Sequence, residues 1–364
     1  LVQNAVVTGG DAMTVQSESS ATINTVVVGV AVAVALSDKG AAFSVGVAIA
    51  VNETTGMSGL PSGVPAGSGF AVVSRVIDSD VTLNGALRVT ALSTQRIRAD
   101  VIALSVAVAG TGGFGLSAAG AGSSATNNGS SNVLAEIKGS STAHRTHANG
   151  ITVKAVNLSD LYAGVGSAGV AVSIAGSTAV ALSVTVALAR NTINAQTDAR
   201  ITGFSGAGMF SAMAGELKVQ ALTSESGSKL NIRSISVAAS LSIAGGSSLG
   251  FAIAGAGADA RNVITGDTIA EISNMNAGTA GSLTLTALNE TNIDATVAAV
   301  AVAGAAGNGA GAASIGGVYV SNRIGAEDNK FTTRASMTNA KFTITGAAVI
   351  SATNSARIIA AGGA

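Results

Sequence analysis

The chain has 364 residues, with 19 Lys and Arg balanced by 19 Asp and Glu, so its formal net charge is zero. It contains 47 Gly, 2 Pro, no Cys and no Trp, and only 10% of its residues are charged, against roughly 25% in an average globular domain. This composition excludes disulfides, thiolate metal sites and the basic surface that nucleic-acid binding needs, and it favours a repetitive chain that associates readily.

The first informative stretch, residues 26–52, has a period of two. It reads VVVGVAVAVALSDKGAAFSVGVAIAVN, with large apolar side chains at alternate positions and mostly Ala, Gly or Ser between them. Side chains alternate across a strand, so this period predicts two long β strands joined by a tight turn at residues 37–40. Because neither set of positions is polar, we expect both faces to be covered by a third sheet layer, by another copy of the protein or by lipid.

A shorter motif, LxVxAL, recurs through the rest of the chain. Its copies begin at Leu87, Ile151, Leu217, Leu283 and Ala348. The shared Ala falls at positions 91, 155, 221, 287 and 352, which are 64, 66, 66 and 65 residues apart. A fixed period of this length predicts a repeat architecture. The polar x positions predict that this strand shows one face to water.

Each repeat has the same predicted order: an alternating strand, a Gly/Ser/Ala turn, a second alternating strand that ends at an Asn, a short Ala-x-Ile segment, a polar loop and LxVxAL. The Asn residues are Asn52, Asn127, Asn191, Asn262 and Asn322. We delimit the end of a preceding repeat at 1–20, repeat 1 at 21–95, repeats 2 to 5 at 96–160, 161–225, 226–290 and 291–355, and the start of a further repeat at 356–364. Because the pattern is already under way at Leu1 and resumes before Ala364, we expect a segment of a longer array.

The predicted fold is all-β: a parallel β-solenoid-like stack of repeats of about 65 residues. The alternative is a stack of antiparallel β hairpins, since a tight Gly turn between alternating strands suits both. In the parallel stack, we expect the Asn residues to occupy left-handed corners and to hydrogen-bond from layer to layer. We expect the Ala/Gly/Ser face to let two sheets approach more closely than the usual spacing of about 10 Å.

Repeat 1 is longer than the others because of a Pro/Gly-rich segment at residues 56–69, which contains Pro61 and Pro65. Proline cannot donate to a strand ladder, so we predict that this segment is a loop outside the body of the stack.

Few residues suggest chemistry. His144 and His147 have the spacing of two zinc ligands, but a site needs three or four ligands, and we interpret them as part of a polar loop. The acidic clusters Asp78–Ser79–Asp80 and Glu327–Asp328–Asn329 match no calcium-loop motif, so we interpret them as surface carboxylates. The Gly-rich segments at 110–115 and 304–311 lack the lysine and following helix of a phosphate loop, so we interpret them as turns. We therefore predict no catalytic, cofactor-binding or metal-binding residue and no enzyme activity.

The LxVxAL recurrence, the Val-Ala-Val-Ala-Gly strands and the Ala-x-Ile segments resemble the Gly/Ala/Val-rich repeats of very large bacterial exoproteins, the haemagglutinin- and leukotoxin-like group. The resemblance covers nearly all of the chain, although the N-terminal secretion domain of that group has no counterpart here. It implies a secreted or surface-exposed β-solenoid that is exported through the outer membrane and serves in adhesion, surface fibres or toxicity. It transfers no catalytic residue.

Three functional hypotheses follow. The first is a structural component of an extracellular or cell-surface fibre that binds further copies of itself through its sheet surfaces. The second is a monomeric adhesin stalk that presents binding loops such as residues 56–69 to an unidentified surface ligand. The third is a pore-forming or lipid-contacting toxin segment, because the 11 residues from Val26 to Leu36 match the roughly 9–11 of a transmembrane strand. Against it, the stretch lacks the aromatic girdles and the polar second face of such strands.

Overall fold

A computed structural model describes residues 1–54, 70–140, 144–206, 208–325 and 331–364. Within these ranges the chain consists of β strands joined by turns and contains no helix. The strands are β1 Val2–Gln3, β2 Val6–Thr8, β3 Met13–Ser19, β4 Thr22–Glu53, β5 Phe70–Ile77, β6 Asp80–Thr82, β7 Leu87–Ser93, β8 Arg96–Lys138, β9 Thr146–His147, β10 Ile151–Asn157, β11 Asp160–Ala175, β12 Thr178–Thr202, β13 Phe210–Ser211, β14 Glu216–Leu222, β15 Ser224–Glu225, β16 Ser228–Gly246, β17 Leu249–Thr265, β18 Thr268–Ala280, β19 Ser282–Asn289, β20 Thr291–Ala306, β21 Gly309–Ile324, β22 Thr333–Ile344, β23 Ala348–Asn354 and β24 Arg357–Gly363.

Each repeat forms one layer of a parallel stack. Layer 1 holds β4 to β7, layer 2 holds β8 to β10, layer 3 holds β11 to β14, layer 4 holds β16 to β19, and layer 5 holds β20 to β23. Strands pair in parallel with their counterparts in the next layer, as β11 does with β8 and β16, and β10 does with β7 and β14. Within the described ranges the one antiparallel pairing joins β15 to the start of β16. The predicted parallel solenoid is confirmed, and the hairpin alternative is wrong.

Every layer follows the same path, which layer 3 illustrates. The strand β11 runs outward to a tip, the residues Gly176 and Ser177 turn the chain, and β12 runs back. The second half of β12 then encloses a core together with β13 and β14. We call the stacked strands before the tip limb a, those from the tip to the ladder Asn limb b, the two limbs together the blade, and the remainder the base.

The base has a conventional hydrophobic core, whereas the blade does not. Large side chains from the end of β12, from β13 and from the LxVxAL strands fill the base, among them Ile201, Phe210 and Leu217. The polar x positions of LxVxAL point away from this core, as predicted, and Arg88 is exposed. The blade interior consists mainly of Ala clusters with Ser and Gly, together with Val101, Val165 and Val297. The base therefore holds the large apolar side chains, and the blade interior is lined by small ones.

The two limbs of the blade lie in close contact. A Cβ added at Gly46 would lie 2.3 Å from the carbonyl oxygen of Leu104 on the opposite limb. Inward serine hydroxyls reach across as well: Ser240 Oγ donates to the Ser183 carbonyl at 2.8 Å, and Ser236 Oγ donates to that of Ala187 at 2.8 Å. The predicted close approach of the two sheets is confirmed. Where the blade joins the base, the interior is filled by larger side chains, namely Ile97, Leu161, Ile193, Leu230, Ile232, Ile264 and Ile293.

The large side chains of the blade point outward, and no other part of the described chain covers them. Val184 is 47% exposed and Val186 is 41% exposed, whereas the intervening Thr185 is 0% exposed. The two-residue turn holds the limbs together, and most side chains between them are small. The LxVxAL strands form a wall of the base and do not cover the blade, which excludes them as the expected third layer.

The Asn column forms a continuous hydrogen-bonded ladder. The Nδ2 of each Asn donates to the Oδ1 of the next, from Asn52 through Asn127, Asn191 and Asn262 to Asn322, at 2.9, 2.8, 3.0 and 2.8 Å. The layer-to-layer hydrogen bonding is therefore confirmed, but the expectation that Asn ends the strand at a left-handed corner is wrong.

The strand β12 passes through its ladder Asn and continues into the Ala-x-Ile segment, ending at Thr202. The left-handed corner lies further along the chain, where Asp78, Asn274 and Asn339 have φ of 46°, 53° and 49°.

The close contact between the limbs predicts the effect of Gly46→Ala. The added methyl group would overlap a backbone oxygen, so we expect a loss of about 1–3 kcal/mol in the free energy of unfolding. Gly166→Ala is the matched control, because a Cβ at Gly166 meets nothing within 4 Å. Urea denaturation of both variants measures the difference, and equal stability would contradict the packing described.

The ladder predicts a cost for Asn191→Ala. This change removes the acceptor of Asn127 and the donor to Asn262 and to the Arg233 carbonyl. Buried groups that lose their partners cost about 1–3 kcal/mol each, so we expect a clear drop in the urea midpoint. Asn194→Ala, on the same strand with an exposed side chain, should change stability by less than about 0.5 kcal/mol. If both variants lose a similar amount of unfolding free energy, the Asn ladder does not contribute to stability.

Candidate functional surface

The outward faces of the blade form the largest set of exposed apolar side chains in the described structure. We call the outward positions of limb a face a, and those of limb b face b. In layers 2 to 4, which have a neighbouring layer on each side, face a carries Ile102, Leu104, Val106, Val108, Val170, Val172, Ile174, Val237, Leu241 and Ile243. In the same layers face b carries Leu116, Val180, Leu182, Val184, Val186, Leu188, Phe251 and Ile253.

This exposure belongs to the sides of the stack. In these three inner layers Leu182, Val237 and Ile243 are 38%, 40% and 42% exposed. Each of them pairs in register with a residue in the layer above and one in the layer below, so the open area faces sideways. Contiguous apolar patches of this kind mark interaction sites in soluble proteins.

Charged and aromatic residues border the apolar band where it meets the base. On face a, Arg98 Nε lies 2.6 Å from Asp100 Oδ2, and the Arg98 guanidinium carbon lies 4.7 Å from the centre of the Tyr162 ring. On face b, Arg261 Nε lies 2.9 Å from Asp259 Oδ2. Opposite charges compensate each other along this border, and the band above it is apolar.

Face b is ridged from layer to layer. Val184 in layer 3 lies between Gly120 in layer 2 and Gly255 in layer 4. Two residues further along, Val186 lies between Gly122 and Gly257. Layer 1 repeats the large residues with Val45 and Val47, which pair with the layer 2 glycines. At these two positions layers 1 and 3 are therefore ridges and layers 2 and 4 are grooves, whereas nearer the tip layer 4 carries the large residues Phe251 and Ile253.

The centre of face a lacks this alternation. Its central column runs Val32, Val106, Val170, Leu241, Val302 through the five layers. Nearer the tip the column Leu36, Gly110, Ile174, Gly245 alternates as face b does, so the two faces differ in shape at their centres although both are apolar.

The outer side of strand β12 in the base carries a buried carboxylate. Asp198 is 3% exposed and pairs in register with Leu134 and Ile269 in the adjacent layers. Arg200 Nη2 and Gln196 Nε2 lie 2.6 and 2.9 Å from its Oδ2. Burial raises the pKa of Asp198 to about 6, an effect that Arg200 and Gln196 only partly offset.

Next to Asp198, the column Arg75, Glu136, Arg200, Glu271 alternates in charge from layer 1 to layer 4. Arg75 Nε donates to Glu136 Oε2 at 2.7 Å, and both side chains are buried. A shift by one layer would place like charges together, so this column disfavours incorrect pairing between layers.

The two histidines and the first acidic cluster lie at a corner of the base. His144 Nδ1 is 3.6 Å from Asp78 Oδ1, and His147 Nε2 is 2.7 Å from the Gly208 carbonyl. Asp78 Oδ1 accepts from the Ser140 amide at 2.7 Å, and Asp80 Oδ1 accepts from the Arg145 amide at 2.8 Å. These carboxylates accept hydrogen bonds from backbone amides of the next layer. This structural role could not be predicted from their spacing in the sequence.

The Gly-rich segments lie at the tip of the blade. At this tip the Gly176 and Ser177 amides donate to the carbonyls of Thr111 and Gly113 at 3.0 Å each. In the same way the Gly309 amide donates to the Ser248 carbonyl at 2.9 Å. These amides support the stack and are not turned toward an anion. Residues 56–69 and 327–329 lie outside the described part of the chain.

An open groove of about 740 Å³ follows the border of face a, and Arg98, Asp160, Tyr162 and Arg233 are among its lining residues. Across the described ranges, no three His, Asp or Glu side chains converge as metal ligands would. The same ranges contain no helix with the length and apolar character needed to cross a membrane.

Comparison with known proteins gives no relative for this chain: no protein-family model, no curated protein and no solved structure matches it. Inference about function therefore rests on the sequence and on the geometry of the blade.

The buried Asp198 predicts a pH dependence of stability. Its folded pKa of about 6 lies above the ordinary value of 3.8 for an Asp carboxyl, so the folded state binds this proton more tightly than the unfolded state. The free energy of unfolding should then fall by about 3 kcal/mol as the pH rises from 4 to above 6. Asp198→Asn should remove this fall and be more stable than the wild type at pH 7. Urea denaturation at several pH values measures the free energy of unfolding of both proteins. If the difference in this free energy between the wild type and the variant is constant with pH, the prediction is wrong.

Proposed function

We propose that this chain is a structural segment of an extracellular or cell-surface fibre, which assembles by binding further copies of itself through the two faces of the blade. The observation that carries the proposal is the inverted arrangement of the blade: most side chains inside it are small, and large apolar side chains such as Val172 and Val184 point outward from both limbs. A monomer leaves both faces in water, and burying them is favourable.

The size of the faces suits a stable protein interface. The band on limb b covers five strands about 4.8 Å apart and about nine residues rising about 3.3 Å each, which gives a footprint of roughly 700 Å². A standard interface buries about 800 Å² per partner. The zero net charge of the chain leaves little long-range repulsion between copies. Area and charge therefore both favour a second copy of the chain as the partner of each face.

Two faces on opposite sides of one blade favour open-ended assembly. A copy bound on face b leaves face a free to bind another, so association does not stop at a dimer. This lateral growth is what a fibre or sheath needs. The secreted location is supported by the resemblance to bacterial exoprotein repeats.

Lipid contact is the second candidate, because one observation favours it. The apolar band is about 30 Å high along the strands and lies between the charged border and the polar tip, and the hydrocarbon core of a bilayer is also about 30 Å thick. Against it, the interior of the blade is closely packed and offers no aqueous path. The proposed assembly needs no lipid, which separates the two candidates.

Face-specific variants test the proposed assembly. Val172→Lys places a charge on face a, and Val184→Lys places one on face b. We expect the wild type to form large assemblies as its concentration rises. Each single variant should stop at a dimer, and the double variant should remain a monomer. Analytical ultracentrifugation with electron microscopy, in the absence of lipid, measures this.

A wild type that stays monomeric at every concentration would overturn the proposal. Dye release from liposomes by such a monomer would favour lipid contact instead. Thr192→Lys is the matched control: its side chain is exposed on the same strand, outside the apolar band, and it should assemble like the wild type.

A further inference from the structure

The ridges of face b restrict how two copies can meet. Its ridges in layers 1 and 3 carry Val45, Val47, Val184 and Val186, and its grooves in layers 2 and 4 carry glycine at the paired positions. Adjacent layers are about 4.8 Å apart, so ridges recur about every 9.6 Å. Two such surfaces pack without voids only when the ridges of one enter the grooves of the other.

We infer that two copies bind through face b about a two-fold axis parallel to the blade strands, with their stacking directions opposed and layer 3 of each chain opposite layer 2 of its partner. The inference rests on the proposed self-association and assigns its geometry. In this arrangement Val184 faces the partner's Gly120, and Val186 faces the partner's Gly122. Layer 1 then faces layer 4, which places Val45 opposite the partner's Gly255.

The other symmetric arrangements fit less well. A two-fold axis along the stacking direction places every layer opposite its own copy, so ridge meets ridge and groove meets groove. An axis parallel to the strands that sets layer 3 opposite layer 4 does match ridge with groove. However, it places Arg190 opposite the partner's Arg261, and like charges at an interface are unfavourable. In the inferred register Arg190 faces the partner's Thr126 instead.

The inference is tested by filling the groove. The variant Gly120→Val/Gly122→Val adds apolar side chains where the structure has room: an added Cβ at Gly120 comes no closer than 3.8 Å to any atom, and one at Gly122 meets nothing within 4 Å. The monomer fold should therefore persist, which circular dichroism and thermal melting check. If the ridges enter the grooves, the added bulk blocks the dimer although it increases apolar area. If association is non-specific, the same area strengthens it.

The measurement is made on full-length chains that carry Val172→Lys, so that face b alone associates. Sedimentation equilibrium should give a dimer whose dissociation constant rises tenfold or more in the groove-filled variant. The control, Gly166→Val/Ala168→Val, adds similar bulk to face a, and its dissociation constant should stay within about twofold of that of the Val172→Lys chain. A Val172→Lys chain that never dimerises would overturn the inference together with association through face b. Dimerisation that is equal or tighter after groove filling would overturn only the ridge-in-groove geometry and leave the proposed function standing.

Discussion

The tight turn at the tip of the blade is the constraint on which the rest of the structure depends. In layer 3 two residues, Gly176 and Ser177, reverse the chain between β11 and β12. The limbs then lie so close that a Cβ at Gly46 would overlap the Leu104 carbonyl oxygen. Mostly Ala, Ser and Gly lie between them, with a few larger residues such as Thr185 and Val165, so most large members of the alternating pairs point outward. The apolar faces of the blade are thus a consequence of its narrow interior.

The other requirement is that every layer keeps the same register. Small interior side chains bury little area each, so the blade depends on its backbone ladders and on neighbouring layers. Two polar columns make the register specific. The Asn ladder satisfies its amides only when Asn lies over Asn, as Asn191 does with its neighbours. The column from Arg75 to Glu271 alternates in sign, so a slip by one layer would bring like charges together.

Much of this architecture follows from the sequence, because the repeat is strict. The LxVxAL spacing predicts the repeat, and the Ala at 91, 155, 221, 287 and 352 pair in register through the stack. The spacing leaves open whether one period forms one layer or several, and the pairing shows that it forms one. The Asn ladder and the close approach of the sheets also follow from residue type. The direction of the large side chains does not, because alternation separates two faces without saying which one is inside. The corner at Asn274 does not follow from the sequence, because the ladder residue Asn262 in the same layer suits a left-handed corner equally well by residue type.

The candidate surface could be predicted from the sequence only in part. The apolar positions at 182, 184 and 186 are evident, but their exposure depends on the width of the blade. The ridges of face b appear once the layers are in register, when the Gly pair at 120 and 122 falls beside the Val pair at 184 and 186. The buried Asp198 gives no local signal, because its burial depends on Leu134 and Ile269 in adjacent layers.

The most direct test of the inverted blade is the reactivity of single cysteines introduced at each position from 181 to 186, since the chain has no cysteine of its own. In dilute monomer, thiol-specific labelling should be fast at 182, 184 and 186 and slow at 181, 183 and 185. On assembly the fast positions should become protected too. Fast labelling at 181, 183 and 185 with protection of the other three would show that the large side chains lie inside, and would contradict the account of the blade and its faces.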